Sequence, residues 1–220
     1  MKSSNKTPKW PALFIFVCFM IIFCFANTTA KTRNTVKNNT TPENRWSREN
    51  LAVDHYRNGD PIPEVEDPGA WSSLATGAWC YYENRNENGV TYGKLYNWYA
   101  VNDPRGIAPA GWHVASDTEW SELVTALGGE KAAGAKLKSK VLWKAQAAGA
   151  DNSSGFSALP GGYRSSNGTF SQLGTNGSFW TSTEEHSYSA WYRTLFNSYS
   201  SVYRTSSSKT QGFSVRCVKD

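Results

Sequence analysis

The chain has 220 residues, 23 Lys/Arg against 18 Asp/Glu, and a formal net charge of +5. That excess is local: residues 1–45 hold seven Lys/Arg and one acid, whereas the other 175 hold 16 and 17. A near-neutral body has no cation cluster with which to release phosphate counterions, which argues against nucleic acid as a partner.

Lys2, Lys6 and Lys9 precede an apolar run from Trp10 to Ala26, the order found in secretory leaders. Small residues suited to cleavage follow at Ala26 and Ala30. The run is slightly long for a leader and slightly short for a spanning helix, which needs about 20 residues. Cleavage is expected, with retention as an N-terminal membrane anchor as the alternative. Lipid attachment is not expected, because Val17 and Phe23 precede Cys18 and Cys24 where a small residue is needed. Residues 1–30 are therefore assigned as leader or anchor. The protein is expected to be secreted or at the cell surface, with membrane contact only through an uncleaved leader. Residues 31–44, polar and rich in Asn and Thr, form a linker. The working domain is 45–220.

This stretch is long enough for one domain with a real core, and it holds nine of the ten tryptophans. Its cysteines, Cys80 and Cys217, form either one disulfide or two buried thiols, and distance along the chain does not choose between them. Asn58-Gly59-Asp60-Pro61, Pro63 and Asp67-Pro68-Gly69 mark a loop. Ala78–Tyr82 reads as a short strand and Asn84–Gly89 as a polar turn. Leu95–Val101 is too short for periodicity to separate strand from helical turn.

One helix is well marked. Ser116 and Glu119 form a capping box, and Trp120, Leu123, Val124 and Leu127 share a face. Gly128-Gly129 closes it. A weaker helix is expected over Glu130–Lys140, interrupted by Gly134. After Asp151, Ser, Gly, Asn, Thr and aromatics replace helical periodicity, so short strands separated by turns are expected. Phe213, Val215 and Cys217 alternate onto one face expected to be buried, which makes Cys217 structural rather than reactive. The fold class is α+β, with one or two helices packed on antiparallel sheet and long loops.

Familiar catalytic patterns are absent from the sequence. His55, His113 and His186 stand apart without metal-ligand spacing, and no GxSxG elbow occurs. Gly89–Lys94 imitates a phosphate loop but is one residue short and continues with Leu95. The acid pairs Glu64/Glu66 and Glu184/Glu185 fall in polar turns and do not support glycosidase chemistry. Loop acids such as Asp60 and Asp67 have calcium-type ligand chemistry without a supporting pattern. No catalytic residue, metal or cofactor is assigned.

The segment Glu184–Gln211 differs. Tyr188, Trp191, Tyr192, Tyr199 and Tyr203 occur with Arg193, Arg204 and Asn197 in a field of serines. Tyr and Trp give contact area at low entropic cost, and Ser and Asn give adaptable hydrogen bonds, as in antibody loops. Aromatic faces beside Arg and Asn also suit sugars. Alternatively, Trp191 and Leu195 face a core while Tyr192 and Thr194 point outward; both hold if only one face is buried. The expected function is a non-catalytic binding module for an extracellular glycan or protein. An enzyme of unrecognised type and a self-associating surface structural protein are the rivals.

From Trp46 onward the motifs fall into a recognisable order. They include Asn58-Gly59-Asp60-Pro61-Ile62-Pro63, Gly77-Ala78-Trp79-Cys80-Tyr81-Tyr82, Tyr92-Gly93-Lys94-Leu95-Tyr96-Asn97-Trp98 and Gly111-Trp112-His113-Val114. Leu159-Pro160-Gly161-Gly162-Tyr163-Arg164, Phe179-Trp180-Thr181-Ser182 and Gly212-Phe213-Ser214-Val215-Arg216-Cys217 follow. In these the chain resembles the Fibrobacter succinogenes major paralogous domain, a family of exported bacterial proteins. The resemblance implies a fold related to the formylglycine-generating enzyme and to C-type-lectin-like domains. It does not imply catalysis, because the oxidase relatives use cysteines in the region corresponding to 184–205, and this chain has none there. Many members have a strand-forming segment before Trp46, so an edge strand is expected to be missing or donated from elsewhere. Many also have Cys-Pro where this chain has Ala108-Pro109, which leaves Cys80 as the one candidate partner for Cys217.

Overall fold

The computed structural model describes residues 45–144 and 147–220. The expected leader or anchor and linker, 1–44, lie outside the described residues. Among those described, no helix is long and apolar enough to cross a membrane.

The first half is built from short elements because turn residues punctuate it: α1 (Pro68–Ser72), β1 (Trp79–Cys80), α2 (Asn86–Tyr92), β2 (Leu95–Tyr96), α3 (Trp98–Val101) and β3 (Trp112–Val114). Leu95–Val101 is both strand and helical turn, and Asn97 makes the switch. Its buried Oδ1 accepts from Ala78 N and Ala100 N at 3.0 Å each, while Nδ2 donates to Thr76 O at 2.8 Å. The cap thus ends the strand and starts the helix. The polar turn expected at Asn84–Gly89 is instead largely the start of α2.

Next come α4 (Asp117–Ala126) and α5 (Glu130–Leu137). The capping box of α4 is present: Ser116 Oγ accepts from Glu119 N at 3.2 Å, and the Glu119 carboxylate accepts from Ser116 N at 2.9 Å. Trp120, Leu123, Val124 and Leu127 are buried, and positive φ at Gly128 and Gly129 ends the run. Gly134 does not interrupt α5. A Cβ there would lie 2.5 Å from Ser201 O and 2.6 Å from Ser200 O, so only glycine lets the helix approach that backbone.

The remaining elements are β4 (Tyr163–Arg164), β5 (Phe170–Ser171), β6 (Asn176–His186), β7 (Ser189–Phe196), β8 (Val202–Ser208), β9 (Ser214–Val215) and β10 (Cys217–Lys219). The strands β6 to β8 are longer than the sequence pattern leads one to expect, because two successive hairpins pair them along their length. The main sheet has the order β8-β7-β6-β9, antiparallel except for the parallel β6–β9 pair. The architecture is therefore α+β with mostly antiparallel sheet. One sheet face carries Phe179, Leu195 and Val202 against α4 and α5, in a cluster with Trp46, Trp120 and Phe156. Trp180 and Phe213 lie in a second cluster with Trp79, Tyr96 and Trp98. Trp46 bridges to Val218 of β10, which also pairs with β3; the segment before Arg45 is not among the described residues.

The face expected over Phe213, Val215 and Cys217 is buried, and Ser214 and Arg216 between them are buried as well. Arg216 is held by amide oxygens: Nε donates to Asn50 Oδ1 (2.7 Å), Nη1 to Ser47 O (2.7 Å) and Phe156 O (2.8 Å), and Nη2 to Ser157 O (3.0 Å). Arg164, also fully buried, donates to the carbonyls of Val65, Glu66 and Gly168 and lies over Trp71.

The disulfide considered between Cys80 and Cys217 is not formed. Both are free thiols, and they sit in different clusters, Cys80 with Trp71, Tyr82 and Leu95, Cys217 with Tyr96 and Trp180. Burial pushes both up to about 12, away from the reactive thiolate. Reductant should therefore leave Tm unchanged, and a thiol-specific reagent should label both cysteines only on unfolding. A reductant-sensitive Tm would contradict this placement.

Candidate functional site

Side chains alternate across the regular β7–β8 ladder, so the aromatic segment presents two different surfaces. Trp191, Arg193 and Leu195 face the same side as Val202, Arg204 and Ser206, toward α4. Tyr192, Thr194 and Phe196 share the other side with Tyr203, Thr205 and Ser207.

The α4 side is internally committed. Arg193 is buried; its Nη2 donates to Asp117 O (3.0 Å) and Ser121 Oγ (2.8 Å) and pairs with the Asp117 carboxylate (2.8 Å). Arg204 Nε reaches the same carboxylate at 3.0 Å, and its guanidinium lies 3.4 Å over the Trp191 ring. These three residues fasten the first turn of α4 to the sheet, so Arg193 offers no contact surface. Tyr188, 71% exposed, sits beside His186 near the β6–β7 turn, at the far end of β7 from Tyr199. Asn197 Nδ2 donates to Lys144 O at 2.8 Å and pins a neighbouring loop.

The other side carries a groove of about 200 Å³. Its buried base is polar. Asn176 Nδ2 donates to Thr194 Oγ1 (2.7 Å), Ser178 Oγ donates to Asn176 Oδ1 (2.7 Å), and the Ser178 and Thr194 hydroxyls are 3.2 Å apart. Aromatic residues line it: Tyr163, Tyr192, Phe196 and Phe213. Tyr192 packs on Phe213 with ring centroids 4.4 Å apart. Gln211 also lines the groove, and its Oε1 is a buried acceptor with no hydrogen-bond partner. The aromatic surface continues outward, since Phe196 meets Tyr203 at 5.7 Å and Tyr199 at 6.4 Å. Tyr199 and Tyr203 are 55% and 40% exposed.

Lys138 fixes this outer end. It is fully buried just past α5 and donates to Ala148 O (3.1 Å), Phe196 O (3.2 Å) and Tyr199 O (2.7 Å), which uses all three ammonium hydrogens. Burial lowers its pKa.

Of the eight contact residues expected from sequence, Tyr192, Tyr199 and Tyr203 come together along the groove and its outer end, and the other five do not. Asn176, Ser178, Phe196, Gln211, Tyr163 and Lys138 were missed. The polar alternation Asn176-Gly177-Ser178 facing Thr194 was a usable signal for the base. Nothing local marks Lys138.

Several other polar residues singled out in the sequence have structural partners. Lys94, in the imitation phosphate loop, is buried with its ammonium 3.4 Å from the Trp79 ring centroid and 3.8 Å from Asp54. Asp67 caps α1 by accepting from Ala70 N, and Asp60 pairs with Arg105. His55 contacts Asp54, and His186 contacts Glu185. Among the described residues, no three His, Cys, Asp or Glu side chains are grouped as metal ligands.

The model of the Fibrobacter succinogenes major domain family matches residues 41–219, so the chain belongs to that family. No curated protein and no solved structure matches it.

His113 makes α4 sensitive to pH. Its Nδ1 lies 2.6 Å from Asp220 and its Nε2 2.8 Å from Glu119. Burial opposes protonation, but the two carboxylates outweigh it and hold the pKa above the ordinary 6.5. Burial raises Glu119, but its hydrogen bonds from Ser116 and His113 win and lower it below 4.5. By linkage, the His113 contribution is complete below pH 6.5 and is lost as pH rises through the folded value. The Glu119 contribution is complete above 4.5 and is lost as pH falls through its folded value. Tm should therefore decline from pH 6 toward 8 (about the span of a His titration), and His113→Gln should flatten that decline. An equally steep decline in the variant would assign the effect elsewhere.

Proposed function

We propose that this member of the Fibrobacter succinogenes major domain family is an exported, non-catalytic binding module of lectin-like fold, and that the groove receives a sugar ring of an extracellular glycan. Export is inferred from the leader-like sequence, and the lectin-like fold from the ordered motifs. The observation that carries the binding assignment is the groove itself: aromatic sides over a base of amide and hydroxyl groups, with the unpartnered Gln211 acceptor on its lining.

This chemistry matches a pyranose, whose C–H face packs on aromatic rings while its hydroxyls both donate and accept. A buried acceptor without a donor costs about 1–3 kcal/mol, and a ligand hydroxyl would relieve that cost if the Gln211 amide, shielded from solvent in the free protein, turns into the groove. The groove is smaller than the usual range of about 300–1,000 Å³ for ligand pockets. It suits one ring, with the rest of the glycan lying across Tyr199 and Tyr203.

An array of pyranose oligosaccharides identifies the ligand, and titration calorimetry follows on the best binder. Gln211→Leu and the pair Tyr199→Ala/Tyr203→Ala should each weaken binding about tenfold or more, equivalent to about 1.4 kcal/mol. Tyr188→Ala, at the opposite end of β7, should leave it unchanged. Full binding by the groove variants, with Tm retained, would place the site elsewhere.

A further inference from the structure

We propose that β8 is a self-association edge, where two copies of this chain pair their β8 strands antiparallel and join their sheets into one.

The edge is open. β8 is the terminal strand of its sheet and pairs only with β7, over seven residues without a register shift. Lys209 N donates to Tyr188 O. Hydrogen-bonded pairs alternate along an antiparallel ladder, so Tyr203, Thr205 and Ser207 direct their backbone groups to β7. Val202, Arg204 and Ser206 direct theirs outward. Among the described residues, none bonds to those outward groups. Exposed edges are usually blunted by proline, charged side chains, a bulge or extreme shortness; Val202–Ser208 has a single charge, Arg204, which Asp117 of the same chain pairs.

Charge selects the second copy's register. Centring the two-fold axis on Arg204 sets Arg204 opposite itself, a like-charge pair that opposes association. Moving the centre to Thr205 sets Arg204 opposite Ser206 in both halves. It still matches outward N–H and C=O groups, because the residues at 204 and 206 both point out. Ser206 lies beside Glu185, which also accepts from Ser189 Oγ at 2.6 Å. Each Arg204, held within its own chain by Asp117 and Trp191, then faces a serine and not a second cation. A two-fold axis perpendicular to the sheet keeps corresponding faces together. Both grooves then open on the same side, and each Ser207 at a groove lies opposite the second copy's Tyr203. This pairing does not depend on what the groove binds.

The exported protein, as the cell produces it, is tested by sedimentation velocity and by cysteine cross-linking. Wild type should be a concentration-dependent dimer. Ser206→Pro removes the outward N–H together with a hydroxyl beside Glu185 and leaves the β7 ladder bonds intact, so it should give monomer with an unchanged circular dichroism spectrum, whereas Ser206→Ala, which removes only the hydroxyl, should remain a dimer. Thr205→Cys should form a disulfide-linked dimer under mild oxidation, because facing non-hydrogen-bonded residues lie about 4.5 Å apart at Cα, within disulfide reach. Wild type and Ser206→Cys should not cross-link. A monomeric wild type, a Ser206→Pro dimer or an uncross-linked Thr205→Cys would each overturn the proposal.

Discussion

The structure depends on buried cations that hold backbone carbonyls in place. Many of its strands are only two residues long, so much of the chain lies outside regular ladders, where carbonyls still need donors. Arg164 gathers Val65, Glu66 and Gly168; Arg216 gathers Ser47, Asn50, Phe156 and Ser157; Lys138 gathers Ala148, Phe196 and Tyr199. Their acceptors are all amide oxygens. A buried charge is costly unless it is well solvated by the protein. Here converging carbonyl dipoles supply that solvation, and the ring faces of Trp71 and Phe156, each 4.4 Å from a guanidinium, add to it. Burial brings Arg216 down to about 9, which leaves it charged at neutral pH.

The candidate site follows from that arrangement. The clamp of Arg193 and Arg204 on Asp117 seats α4 against one face of the main sheet, leaving the Tyr192 side for the groove. Glycine at 134 brings α5 close to the β7–β8 connection, and Lys138 then fixes the carbonyls of Phe196 and Tyr199. The exposed tyrosines thus project from a connection held by a buried hub, which lowers the ordering cost of a contact surface.

Local signals were legible and non-local ones were not. The capping box at Ser116 and Glu119, the face of Trp120, Leu123 and Val124, and the Gly128-Gly129 stop can each be read within one turn of chain. The family was legible because its motifs recur in order along nearly the whole domain. The alternation of Trp191 and Leu195 against Tyr192 and Thr194 was also readable. It did not reveal that Arg193, on the inward side, would be consumed by Asp117 of α4. The strand period at 213–217 marks the buried face of Phe213, Val215 and Cys217 but carries no sign that Ser214 and Arg216 between them are buried too. The groove base needs Asn176 and Ser178 in register with Thr194, and Lys138 needs three distant carbonyls; neither has a local signature.

The most direct test of the cation-hub account is equilibrium urea unfolding of the Arg216→Met variant. Replacing an ordinary buried ion pair with apolar residues is often neutral or stabilising. Here the partners are amide oxygens that remain in place and lose their donor, at a cost of about 1–3 kcal/mol each. The account predicts a loss of at least about 3 kcal/mol with unchanged cooperativity. Wild-type or greater stability in Arg216→Met would contradict it.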